Sequence, residues 1–203
     1  MELLLIRHGE PRKVVDASGP ADPDLNERGL RQALLLADYL SSESIDAVYT
    51  SPMRRALQTA APLAERLGLR AVVDDDLAEF DREASTYIPI EEMRANRDER
   101  FLAMLQDDYS MWGVDIEQFR SRVVAGVEAI ISAHHGGRVA AVCHGGVINA
   151  YLTHILGLSR RTFFAPDYTS VSRVGASRSG VRSVIRLNEV GHLRGHCLLE
   201  STL

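Results

Sequence analysis

The sequence predicts an α/β fold: a single-domain three-layer sandwich with a mostly parallel central sheet, helices on both faces and a C-terminal hairpin at the edge. Three observations predict it. Residues 3–6 (Leu-Leu-Leu-Ile) and 139–143 (Val-Ala-Ala-Val-Cys) are unbroken apolar runs of strand length, as expected of strands covered on both faces. Stretches with apolar residues at helical spacing follow the strand-like runs, the alternation of a parallel sheet with crossover helices. Two last strand-like segments, 170–174 and 181–187, flank a Ser/Arg/Gly turn and read as a hairpin. A chain of 203 residues can bury roughly 70% of its unfolded surface, enough for one full core, so residues 1–203 are read as one domain.

Composition narrows the class. With 45% hydrophobic and 25% charged residues, the chain has an ordinary globular make-up. It has no apolar run approaching the roughly 20 residues of a membrane span. Its amino terminus enters the first strand directly, without a basic region, a longer apolar stretch and a cleavage site, so a cytoplasmic location is expected. The net charge of -5 argues against a nucleic-acid surface, which needs a clustered basic excess. Cys143 and Cys197 are far apart and in no metal-ligand spacing, which suits a reducing compartment. Cys143 closes an apolar strand and reads as a buried small hydrophobe.

The first strand ends in Arg7-His8-Gly9-Glu10, which puts a cation and an imidazole just outside its carboxyl end, where open parallel sheets collect ligands. A polar loop with Pro20 and Pro23 follows. Asn26 reads as an N-cap, and Leu30, Ala33, Leu34, Ala37 and Leu40 as the buried stripe of a helix over 27–40. Residues 45–49 form a second strand, after which Ser51 is expected to cap a helix with Pro52 in its first turn. That helix buries Ala56, Ala60, Leu63, Ala64 and Leu67 and stops at Gly68. Arg54 and Arg55 fall in its first turn, against the helix dipole, an arrangement that makes sense beside a bound anion. Arg54 is read as solvated.

Residues 69–73 form a third strand and lead to an acidic turn. Glu79 stands out there because Leu77 and Phe80 flank it with apolar surface that could hold a proton near neutral pH. Residues 82–112, which include Tyr87, Met93, Phe101, Met104, Leu105, Tyr109, Met111 and Trp112, read as a helical excursion over the ligand edge of the sheet. Phe119, Val123, Val127 and Ile130 mark one face of a helix that ends at His134-His135-Gly136-Gly137, histidines whose spacing suits a loop and not a metal. The strand 138–143 then delivers His144-Gly145-Gly146 to a further helix over 147–157.

In a parallel sheet these strand ends converge, giving two imidazoles and two guanidiniums in one place. Like charges repel, so such a pocket calls for an anion, and a phosphoryl group suits it because arginine forks and imidazole donors can hold charge spread over its oxygens.

Arg7-His8-Gly9-Glu10, Ser51-Pro52-Met53-Arg54-Arg55-Ala56 with Thr59-Ala60, Leu77-Ala78-Glu79 and His144-Gly145-Gly146 together resemble the histidine phosphatase superfamily, the phosphoglycerate mutase-like proteins. The resemblance runs from residue 1 to about 193 and also takes in Leu25-Asn26-Glu27-Arg28-Gly29. It implies a phosphomonoester phosphatase in which His8 is the nucleophile that carries a phosphohistidine. By the same resemblance Arg7, Arg55, His144 and Gly145 bind the phosphoryl group, and Glu79 is the proton donor. It implies no metal or organic cofactor and a small phosphorylated substrate as partner, without nucleic acid or membrane. The segment after Glu79 lacks the Glu-Gly continuation common in the family, and the excursion over 82–112 is where family members select substrates. The alternatives are a phosphoglycerate mutase and a low-activity regulatory domain that binds phosphorylated ligands; the compact chain favours hydrolysis.

Overall fold

In the computed structural model, which describes residues 1–196 and 198, β1 (Glu2–Arg7) and β4 (Arg138–Cys143) lie side by side at the centre of a six-stranded sheet. The strand order is β3-β2-β4-β1-β5-β6, with β2 (Ala47–Thr50), β3 (Ala71–Val73), β5 (Val171–Ala176) and β6 (Arg182–Glu189) outside them. The four strands β3, β2, β4 and β1 run parallel, and β5 and β6 form the antiparallel hairpin at one edge.

Alternation along the central strands feeds two cores. Leu3 and Leu5 of β1, with Val139, Ala141 and Cys143 of β4, pack under α5 (Ile116–Ala133) and α6 (Gly145–Leu156). Leu4 and Ile6, with Ala140 and Val142, pack under α1 (Glu27–Leu40) and α2 (Arg54–Leu67). The three layers expected from the sequence are therefore present. Cys143 is a free, buried thiol in the first core, and Cys197 lies outside the described residues.

Several local expectations change. Asn26 caps α1 through Gly29 N at 2.8 Å, as expected, but the buried face is Gly29, Ala33, Leu36, Ala37 and Leu40. Leu30 and Leu34 are exposed; the stripe is rotated because Gly29 must lie against the backbone of Glu10, where a Cβ would stand 2.1 Å from the Glu10 carbonyl. Helix α2 begins at Arg54 with Met53 as its cap, two residues later than Ser51-Pro52 suggests. The Ser51 hydroxyl is drawn to His144, and this fixes the strand end ahead of the helix. Gly68 does end α2, in the left-handed region at φ 65°. Strand β3 is shorter than the apolar run over 69–73, because only residues 71–73 meet β2 at this sheet edge.

The excursion is helical in pieces: α3 (Ile90–Ala95), α4 (Glu99–Leu105) and a 3-10 turn (Ser110–Trp112). His134 ends α5 and meets the Tyr49 hydroxyl at 2.9 Å, a loop contact as expected. No helix of the described residues is long and apolar enough to cross a membrane.

Candidate active site

The sheet register builds the site. Arg7 is paired with Cys143 across β1 and β4, so the next residue of each strand, His8 and His144, emerge side by side. Their ring centroids are 5.0 Å apart, and His8 N donates to the Cys143 carbonyl at 2.9 Å. Both rings are buried.

Their protonation follows from their partners. His8 Nδ1 lies 2.7 Å from the Gly9 carbonyl, which can only accept, so Nδ1 carries the proton and Nε2 presents a lone pair. Burial, with the charges of Arg55 and Arg7 behind it, pushes the His8 imidazole well below its ordinary pKa and keeps it neutral. His144 Nε2 lies 2.7 Å from Ser51 Oγ, which also accepts from Met53 N at 3.3 Å, so Ser51 fixes the orientation of the ring. Burial and the charge of Arg55 hold His144 neutral as well.

Two guanidiniums flank the rings. Arg7 is anchored from behind: its Nη1 donates to Glu91 Oε1 and to the Pro166 carbonyl, each at 2.7 Å, and its guanidinium lies 3.9 Å over the Tyr168 ring. Tyr168 OH donates to Glu91 Oε2 at 2.5 Å, so one carboxylate fixes both side chains. Arg55, only 1% exposed, donates to Asp81 Oδ1 at 3.2 Å and lies over Tyr87 at 4.6 Å. Burial opposes both charges, and Glu91 beside Arg7 and Asp81 beside Arg55 outweigh it. Among these side chains Arg7 Nε, Arg55 Nε and Arg55 Nη1 are buried donors without a hydrogen-bond partner among the described residues, and His144 Nδ1 is unpartnered beside them. Unmet buried donors are costly, and the guanidinium donors together form a cradle for an anion.

Glu79 sits in the same recess. Its Oε2 accepts from Gly146 N at 2.8 Å, at the start of α6, and its Oε1 from Phe80 N at 3.1 Å. Burial, reinforced by the Asp81 charge, pushes its pKa up to about 7 despite those hydrogen bonds and Arg55. Arg7, His8, Arg55, Glu79 and Gly145 line one cavity of about 480 Å³, and His144 lies behind His8.

All six residues singled out in the sequence thus come together. Arg54 does not: it is exposed and forms a two-point pair with Asp24 at 2.8 and 2.6 Å. Sequence reasoning missed Glu91 and Tyr168 as the anchors of Arg7, and it read Ser51 as a cap where it orients His144. Ser51 lay inside a recognised motif, so its neighbourhood to a strand-end histidine was a usable signal. Tyr168 carried none, because its contact with Arg7 spans the whole chain. Among the described residues no three His, Cys, Asp or Glu side chains are grouped to hold a metal ion.

Residues 3–189 match the histidine phosphatase superfamily (branch 1). Phosphoserine phosphatase 1 of Hydrogenobacter thermophilus is 31% identical over 201 residues, covering 95% of this chain and 94% of that protein. Among solved structures, a phosphoserine phosphatase mutant from Entamoeba histolytica in complex with phosphoserine superposes with a TM-score of 0.76 at 21% identity, over 95% of this chain and 98% of that one. A mycobacterial glucosyl-3-phosphoglycerate phosphatase superposes with a TM-score of 0.73 at 23% identity, over 93% of this chain and 99% of that one. The chain belongs to the histidine phosphatase superfamily and is a phosphatase.

Proposed function

We propose that this chain hydrolyses phosphomonoesters through a phosphohistidine on His8. The observation that carries the reading is the neutral His8 ring, with Nδ1 spent on the Gly9 carbonyl and Nε2 left as a lone pair, set among the unpartnered guanidinium donors of Arg7 and Arg55. In the first step His8 Nε2 attacks phosphorus and the bond to the ester oxygen breaks, while Glu79 gives its proton to the departing alkoxide. In the second, Glu79 as a carboxylate takes a proton from water, the water oxygen attacks phosphorus, and the N–P bond breaks to release inorganic phosphate. His8 keeps its Nδ1 proton throughout. Arg7, Arg55 and His144 hold the charge on the phosphoryl oxygens, and Gly145, which also lines the cavity, gives the group room at the start of α6.

No metal or organic cofactor has a part in these steps, and turnover is expected to survive EDTA. The substrate is a small phosphorylated molecule; phosphoserine, named for the Hydrogenobacter relative, is the first to try. A cytoplasmic setting fits the free buried Cys143, and the net charge of -5 fits an absence of nucleic-acid and anionic-membrane partners.

The test is His8→Ala beside wild type in an assay of phosphate release and of labelling by a phospho-donor. Both signals should vanish in the variant, and full activity in His8→Ala would overturn the mechanism. A bisphosphoglycerate-primed assay separates hydrolysis from mutase chemistry, since a mutase yields the isomer with little free phosphate.

A further inference from the structure

The cavity has two chemically different ends. Its inner end holds the charged groups described above, and the remainder is walled by Ile88, Met93, Phe101, Met104, Trp112 and Phe163. Several polar side chains along that outer part are already engaged, while the Trp112 indole N–H is buried without a partner among the described residues and Arg94 also lines the cavity. Asn149 Nδ2 donates to the carbonyls of Gly145 and Phe164 at 2.9 and 3.0 Å, and its Oδ1 accepts from Phe163 N at 3.0 Å. Thr162 is bonded to Tyr109 OH at 2.6 Å, and Arg160 donates to the Leu105 carbonyl at 3.0 Å. Of the three carboxylates lining the cavity, Glu91 is held by Arg7 and Tyr168, Asp81 by Arg55, and Glu79 by the backbone N–H groups of Gly146 and Phe80.

Core packing does not account for the part of the wall that α4 supplies. Helix α4, which supplies Phe101 and Met104, has no fully buried residue, so these side chains are turned to the cavity and not to a core. A volume of about 480 Å³ lies in the range of roughly 300–1,000 Å³ typical of sites that enclose a small molecule, and walls of this kind favour an apolar guest.

We infer that the leaving group of the substrate is a large apolar alcohol, a medium-chain alkyl or aryl-alkyl group, seated against this wall. This rests on the phosphatase reading of the same site. Transfer of each methylene from water to the wall is worth about 0.8 kcal/mol, or about fourfold in affinity. Added chain length should therefore raise kcat/KM until the cavity is filled.

The experiment measures wild-type kcat/KM for n-alkyl phosphates from ethyl to octyl, with 2-phenylethyl phosphate, phosphoserine and 3-phosphoglycerate alongside. The alkyl series holds leaving-group basicity nearly constant, so selectivity reports contact with the wall. A rise of about two- to fourfold per methylene, and at least about a hundredfold preference for octyl phosphate over phosphoserine, are expected. In Met104→Glu the octyl-to-ethyl ratio should fall at least about tenfold. Titration of the matching alkylphosphonates into wild type reads the same preference without turnover. Flat series in both measurements, or tightest binding and fastest turnover with phosphoserine, overturn the inference and leave the phosphatase reading standing. Phosphonate affinities that climb with chain length while no ester is hydrolysed support the inference and count against the phosphatase reading.

Discussion

At the scale of single residues, burial disfavours charge on the two imidazoles and on Glu79, while Arg7 and Arg55 stay charged beside their carboxylate partners. His8 and His144 are neutral because burial and two nearby guanidiniums disfavour an imidazolium. Glu79 is the group poised to titrate in the working range, with its pKa pushed up to about 7 by burial and by Asp81. In the proposed mechanism phosphoryl transfer to His8 needs Glu79 protonated, so single-turnover labelling should decline as pH rises through about 7. Rapid-quench measurements between pH 5 and 9 check this, and a flat profile would remove Glu79 from the donor role. The same shift fixes a stability slope. The folded pKa lies above the ordinary carboxylate value of 4.5, so the native state binds the proton more tightly than the unfolded chain. Stability is then greatest below pH 4.5 and falls by about 3 kcal/mol as pH rises to about 7. Glu79→Gln should lose this part of the slope, which urea unfolding at pH 5 and pH 8 measures, while turnover drops about a hundred- to ten-thousandfold. Glu91 makes the complementary case. Its carboxylate holds Arg7 and Tyr168, and Glu91→Ala leaves a buried guanidinium without a counter-charge, at a cost of about 3 kcal/mol. Inorganic phosphate should restore part of that loss, giving a larger upward shift of Tm in the variant than in wild type.

At the scale of elements, strand ends set the direction of the chemistry and helix starts set its clearance. Gly146 is the clearest instance: a Cβ there would stand 2.2 Å from Glu79 Oε1 and 2.9 Å from Phe80. Gly146→Ala must therefore push the Glu79 carboxyl aside, and kcat should fall toward that of Glu79→Gln while the fold remains. Phosphate-release kinetics with a circular dichroism melt would show it. The central elements were legible in the sequence because they are local: unbroken apolar runs gave β1 and β4, and the residue after each strand is one of two neighbouring histidines. What escaped depended on contacts between elements. Leu30 and Leu34 match a helical stripe by spacing, yet the close approach of Gly29 to Glu10 turns them outward. Ser51 looks like a cap in one dimension, and only the neighbouring strand shows that its hydroxyl is needed by His144. The role of Glu91 depends on how the excursion folds back over β1, for which the local sequence holds no signal.

At the scale of the whole molecule, the two rims of the sheet have opposite electrostatic designs. At the carboxyl ends of β1 and β4, cations are left with unmet donors, a disposition suited to a visiting anion. At the amino ends, Arg173 of β5 is saturated: it donates to Glu2 at 3.0 Å, to Glu43 at 2.6 and 2.9 Å and to Glu189 at 2.9 Å, while Arg138 also reaches Glu2 at 2.8 Å. This network ties the antiparallel edge to the parallel half of the sheet. Arg173→Met would leave three partly buried carboxylates close together, and a loss of about 3 kcal/mol is expected for breaking such a cluster. The pH dependence has a definite sign. The Arg173 hydrogen bond holds the Glu43 carboxyl below its ordinary value of 4.5. Its contribution is therefore present above that value and is lost as pH falls below it. The stability gap between wild type and Arg173→Met should be widest near pH 7 and close progressively under pH 4.5. Because the network lies at the rim away from His8, kcat/KM of the folded variant should stay within about twofold of wild type. Denaturant unfolding across that pH range, with turnover measured on the same samples, tests both halves. A large loss of turnover in fully folded Arg173→Met would mean that the two rims are coupled through β1.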